Sequence, residues 1–188
     1  MKKLFFVFAA LLLSTGIYAQ SMEWGVKAGL NLASITKVEE FKMRPGLHAG
    51  IYREFGINDI FGIQVEALYS MMGATGIEEG VNYTVQMDYI ASPIMAKIYL
   101  KDNFSLDFGI QSGYLVSAKV KAKSDGISAA QSFYDDSEKF DFSIGVGFSV
   151  KLDYGFRISA RYNLGLTEIE ADTDSKNNVI QLGLSYKF

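Results

Sequence analysis

The chain has 188 residues, with 18 glycines, 2 prolines, 14 phenylalanines, 11 tyrosines, no cysteine and a net charge of -3. Without cysteine it has neither a disulfide framework nor a thiolate metal site, and its charge balance gives no sign of a nucleic-acid or other polyanion partner. No residue set calls for a cofactor.

The chain opens with a processing signal over residues 1–19. Lys2 and Lys3 give a positive start, Leu4 to Leu13 an unbroken apolar run, and Ser14 to Ala19 a short polar, small-residue end with Ala19 as the last residue removed. That run is too short to cross a bilayer as a helix. No cysteine follows it, so export as a free protein is expected. Residues 20–188, roughly 170 in number, suit one domain. They hold no apolar stretch of about 18 residues, so a membrane location would require a barrel.

Period-two alternation dominates the domain. Trp24, Val26, Ala28, Leu30 and Leu32 alternate with Gly25, Lys27, Gly29 and Asn31, the mark of a strand with one apolar face and one polar or small face. Leu47, Ala49, Ile51 and Phe55 then oppose Gly46, His48, Gly50, Tyr52 and Glu54. Phe61, Ile63, Val65, Ala67 and Tyr69 oppose Gly62, Gln64, Glu66 and Leu68. In the next strand Tyr83, Val85, Met87 and Tyr89 are apolar on odd numbers and Ile94, Ala96, Ile98 and Leu100 on even ones. A register-shifting bulge is therefore expected at Pro93. Even parity runs from Phe104 to Val120, and further alternating strands follow over Phe140–Val150, Phe156–Leu164 and Ile180–Phe188.

The connections alternate in length. Gly56 to Asp59, Lys101 to Asn103 and Asp153 to Gly155 are tight, whereas Ser34 to Arg44, Gly73 to Gly80, Ala122 to Lys139 and Glu168 to Asn177 are longer and polar. An up-and-down meander places alternate connections at opposite ends, and short periplasmic turns with long external loops are typical of outer-membrane barrels. The bulky apolar face suits lipid, and the glycine- and serine-rich face suits the narrow interior of about eight strands. The reading is all-β: an eight-stranded antiparallel up-and-down transmembrane β-barrel. Trp24, Phe55, Phe61, Phe104, Tyr154, Phe156, Tyr186 and Phe188 gather at the short-turn end as an interfacial girdle.

The segments GVKAGLNLA, GLHAGIY, VEALYSMMG, YIASPIMAKIYL and GLTEI, followed by the terminal LGLSYKF, resemble in order the PorT-like outer-membrane β-barrel family of Bacteroidetes-type bacteria. The resemblance implies an eight-stranded barrel in the outer membrane, without implying a secretion role. Phe188, ending an outward-facing strand, resembles the signal read by the barrel-assembly machinery.

Several groups invite a chemical reading. Lys27, Glu54, Glu66, Lys97, Asp107, Asp141, Lys151, Arg157, Arg161 and Lys187 share the inward parity, and charges of both signs in a narrow interior must pair. A side-chain-filled lumen is expected, with a conducting pore as the sharper alternative. His48 is the single histidine, near the end of its strand on the side of the long Ser34 to Arg44 loop; a lipid-modifying hydrolase or acyltransferase would require it, yet no His-x-Ser spacing surrounds it, and a hydrogen-bonding role in the lumen is expected. Asp172, Asp174 and Asn177 are spaced loosely like a calcium loop but lack its glycine and its bidentate glutamate, so a solvated acidic loop is expected there. Phe133 and Tyr134, set among acidic residues, are a candidate contact for a protein partner. The expectation is a monomeric, non-enzymatic barrel whose partners are outer-membrane lipid and lipopolysaccharide, with a soluble ligand-binding barrel as a further alternative.

Overall fold

A computed structural model describes residues 21–36, 41–78, 81–124, 127–134, 138–169 and 175–188. The expected signal segment and Asp172 and Asp174 lie outside the described residues. The strands are β1 (Ser21–Ile35), β2 (Phe41–Gly56), β3 (Phe61–Glu78), β4 (Val81–Lys101), β5 (Phe104–Ser124), β6 (Ile127–Ser132), β7 (Phe140–Lys151), β8 (Phe156–Glu168) and β9 (Lys176–Lys187). The sheet order is β4-β3-β2-β1-β9-β8-β7-β5, and β4 also pairs with β5, so eight antiparallel strands return on themselves. The ring leaves no free edge among these eight. β6 stands outside it, paired to the projecting part of β5.

The alternation read from sequence sets the two surfaces. Leu30, Leu47, Ile51, Phe108, Ile110, Ile144, Val146 and Leu182 are exposed, each on the outward parity of its strand. So continuous an apolar belt has no place against water. Arg53, on the same outward face, lies with its guanidinium 4.6 Å from the Trp24 ring and 4.8 Å from that of Phe55, which is thereby covered.

Two expectations are corrected. Pro93 carries no bulge: β4 keeps one parity, with Met87, Tyr89, Ala91, Pro93, Met95 and Lys97 all buried on its inner side. Its register with β5 runs unbroken through Pro93↔Gln111, and its register with β3 is the same on either side of the proline. The shift lies in β5, where Tyr89 opposes Leu115 but Asp88 opposes Ser117, so that Val116 is the extra residue. The even parity expected through Val120 therefore ends there. Tyr83, Val85, Met87 and Tyr89 belong to the inner surface, not to the lipid face.

The long connections are also shorter than expected, because the strands run on through them. β3 and β4 pair as far as Glu78↔Val81, and β4 and β5 as far as Asn82↔Lys123. About 9–11 residues cross the hydrocarbon, whereas β4 and β5 have 21 each and β7 and β9 only 12. One side of the ring thus stands well above the other at the end opposite the tight turns, called here the far end.

Candidate functional site

The inner surface is filled in layers. At the short-turn rim Lys187 pairs with Glu23 at 2.8 Å, and Lys151 lies 5.2 Å from the Tyr99 ring. Both lysines, expected in the lumen, stand at its mouth. A cavity of about 470 Å³ opens there, bordered by Glu23, Asp59, Tyr99 and Lys151, with Glu54 at its inner side.

Two charged layers follow. Arg157 forks onto Glu54 at 2.5 and 3.2 Å, and Tyr99 donates to the same carboxylate at 2.8 Å. Lys97 sits 2.9 Å from Asp107, its direct partner across the β4/β5 pair, and donates to Ser149 at 2.9 Å. One step further in, Glu66 receives Arg161 at 2.5 and 3.2 Å, Lys27 at 3.2 Å and Gln64 at 2.6 Å. β3 and β8 stand on opposite sides of the ring, so Glu66–Arg161 ties the two walls together. Arginine fits such a span because its planar fork meets both carboxylate oxygens at once. Four cations, Lys27, Lys97, Arg157 and Arg161, face the three carboxylates Glu54, Glu66 and Asp107, and Arg157 also reaches Glu23 at 3.5 Å. The desolvated charges thus have the opposite charge that burial demands.

Above them lies a neutral layer, of which the sequence pattern points only to His48. Asn31 donates to Ser70 and to the Met71 carbonyl at 2.9 Å each, and its Oδ1 faces His48 Nδ1 at 2.8 Å and accepts from Gln181 at 3.2 Å. Asn163 donates to Gln181 at 3.0 Å. His48 is 1% exposed, deep in the interior instead of near the rim, and its ring lies over Gly29, its cross-strand partner. A Cβ at position 29 would stand 2.6 Å from the His48 ring, and one at Gly25 would stand 2.4 Å from the ring of Tyr52. Absent side chains on β1 thus make room for the large ones of β2.

The far end is closed by apolar side chains. Ala33, Met72, Met87, Tyr89, Leu115, Ala118 and Val179 form a buried cluster, and Ile35, Val85, Phe133, Tyr134 and Ile169 pack against it. Phe133 and Tyr134 therefore fold inward over the mouth, with Lys139 3.6 Å from the Tyr134 ring, and do not stand out as a free contact surface. Asp141 and Asn177 lie just beneath. Asn177, expected in a solvated loop, is buried and donates to Tyr89 at 3.2 Å and to Asp141 at 3.3 Å. One signal in the sequence points to the cluster: Met87 and Tyr89 share parity with Lys97, whose charge belongs inside.

At the other end Phe188 is exposed, its ring 5.8 Å from that of Tyr186, and its amide donates to the Trp24 carbonyl at 2.9 Å. Tyr186 in turn meets Phe156 at 5.1 Å, continuing the aromatic girdle.

A closed ring with an apolar exterior and a filled polar interior defines a small transmembrane β-barrel. The comparisons agree: residues 18–170 match the outer membrane protein beta-barrel domain, and the chain belongs to that family. It is therefore a protein of the bacterial outer membrane. Among solved structures it is similar to Ail, the attachment invasion locus protein of Yersinia pestis. The identity is 18% and the TM-score 0.54, over 90% of this chain and 100% of Ail. Ail in complex with the heparin analogue sucrose octasulfate matches at 17% identity and a TM-score of 0.56, over the same shares. Neisserial surface protein A matches at 13% and 0.53, over 90% of this chain and 99% of that protein. At these identities the likeness concerns the fold. No curated protein matches the chain in sequence.

Proposed function

We propose that the protein is a non-enzymatic, non-conducting barrel, with its short turns in the periplasm, that acts through its external connections or through the integrity of the envelope. The observation that carries this reading is the filled interior: walls cross-tied by Glu66–Arg161 and Glu54–Arg157, and a far end closed by the apolar cluster. An ion would have to break desolvated pairs and then cross an apolar layer. Reconstitution into a planar bilayer is the test, with no stepped conductance expected; discrete openings from purified, heat-modifiable protein would overturn it.

The alternative of a lipid-modifying enzyme rests on His48, whose environment speaks against it. Its Nδ1 faces an asparagine, and it is buried away from any lipid surface. His48→Ala should leave the lipid A acylation pattern unchanged by mass spectrometry. The order of motifs supports membership of the PorT-like branch of the family, and the place of Phe188 in the girdle suits recognition by the barrel-assembly machinery. A monomer in contact with outer-membrane lipid and lipopolysaccharide completes the reading.

A further inference from the structure

We propose that the outward face of the projecting β5 strand is a binding site for phosphate-bearing lipid headgroups of the outer leaflet, formed by Lys119, Lys121 and Lys123. The inference rests on the membrane orientation proposed above. Its starting point is the extra residue at Val116. Below it the odd-numbered residues of β5 face inward, from Ser105 to Leu115; above it Ala118 is buried and Lys119, Lys121 and Lys123 are exposed. Without the bulge the three lysines would point into the apolar cluster. The bulge instead turns Ala118 onto that cluster and sets the ammonium groups in one outward row.

Nothing beside the row neutralises it among the described residues. The cross-strand partners on β4 are Gln86, Thr84 and Asn82, and on β6 Lys119 and Lys121 face Ser132 and Ala130. The carboxylate that comes nearest on the outward face of β4, Asp88, opposes Ser117 and already accepts from the Tyr69 hydroxyl at 2.9 Å. Three like charges at alternate positions repel one another, and a row of this kind is relieved by an anionic partner.

Its height selects the partner. The row continues the lipid-facing surface upward from Phe108 and Ile110, past the edge-to-face pair of Tyr114 and Phe140 at 5.3 Å. Aromatic pairs of this kind mark the membrane interface. Lys119 is four strand steps above Tyr114 once the bulged residue is discounted, which is about 10 Å of height at the rise and tilt of a barrel strand. Lysine side chains reach back several ångströms along an apolar surface to place the charge among headgroups. A phosphate group at that level meets the row edge-on.

The test folds the exported chain and the variant Lys119→Gln/Lys121→Gln/Lys123→Gln into phosphatidylcholine vesicles, with and without bis-phosphorylated lipid A, and compares denaturant unfolding. A juxtamembrane lysine strengthens attraction to an anionic surface by about fivefold. The folding equilibrium constant of the unaltered protein should therefore gain on the order of a hundredfold more from lipid A than that of the triple variant. The gain should return in Lys119→Arg/Lys121→Arg/Lys123→Arg and shrink in about 1 M salt. Equal gains in the unaltered protein and the glutamine variant would overturn the proposal. So would an equal gain from dephosphorylated lipid A, or from inorganic phosphate added to phosphatidylcholine vesicles alone. Folding in phosphatidylcholine by itself, read as a heat-dependent shift in SDS gels, reports on the barrel independently of the lysines.

Discussion

The two halves of the lumen have the same wall of antiparallel strands and are filled by opposite chemistry. Towards the tight turns the interior is ionic, with each carboxylate meeting at least one buried cation. Towards the far end it passes through an amide and histidine layer into an apolar cluster. The mouth explains the difference. The ionic half ends on an open cavity of about 470 Å³ lined by Glu23, Asp59, Lys101, Asp102 and Lys151, with Glu54 at its inner side. The far half is closed by Phe133 and Tyr134 over a largely apolar cluster that offers a buried charge few polar partners. Asp141 is the exception: a buried carboxylate held by Asn177, with no ion-pair partner among the described residues.

The largest effect should come from breaking the ionic half at its centre. Glu66→Ala leaves Lys27 and Arg161 buried without their anion and should destabilise by about 3–5 kcal/mol, measured by urea unfolding in vesicles. Replacing Glu66, Lys27 and Arg161 together by Leu, Met and Leu should recover most of that loss, because a buried ionic cluster is not in itself strongly stabilising. If the triple variant were as unstable as the single one, the pairing account of this half would fail.

Ile144→Arg tests the outer surface that both halves share. Ile144 is 49% exposed beside Ile110 and Leu164. The substitution should cost about 2–4 kcal/mol near the bilayer midplane, and an unchanged folding free energy would mean that this position does not face lipid. In the far half, Leu115→Ala removes a fully buried side chain of the apolar cluster. It should cost about 2–3 kcal/mol and speed proteolysis around Phe133. A loss of stability with no change in proteolysis would separate the cluster from the closure of the mouth.

The smallest effect sharpens the contrast most. Asp141→Asn removes an uncompensated buried carboxylate, so stability should change by less than about 1 kcal/mol or rise. The chemically similar Glu66→Gln should destabilise, since it strands two cations. Equal losses from the two amide substitutions would show that the halves do not differ electrostatically as their contacts indicate.

Much of this architecture was legible in the sequence, because a strand has a period of two and each face must suit one solvent. The alternation of Phe140 to Val150 with Asp141 to Lys151, or of Ile180 to Tyr186 with Gln181 to Lys187, fixes a lipid face and a lumen face without knowledge of any neighbour. The inward parity of Lys27, Glu66 and Arg161 follows in the same way. Which of them meet was not legible: Glu66 and Arg161 are 95 residues apart and come together only because ring closure sets β3 opposite β8.

Local pattern failed where an apolar residue had a second place to go. Met87 and Tyr89 fit lipid as well as they fit a closed lumen, and the choice was made by Leu115, Val179 and Phe133 converging on them from β5, β9 and the segment after β6. The bulge escapes the local pattern for the same reason: proline carries a local signal and Val116 does not. Only the pairing of β4 with β5 shows that Val116 is the residue left over, and hence that the three lysines beyond it face outward. Periodicity along the chain thus determined what each face is made of. Closure of the ring decided which side chains share the interior, because register and convergence depend on strands far apart in sequence.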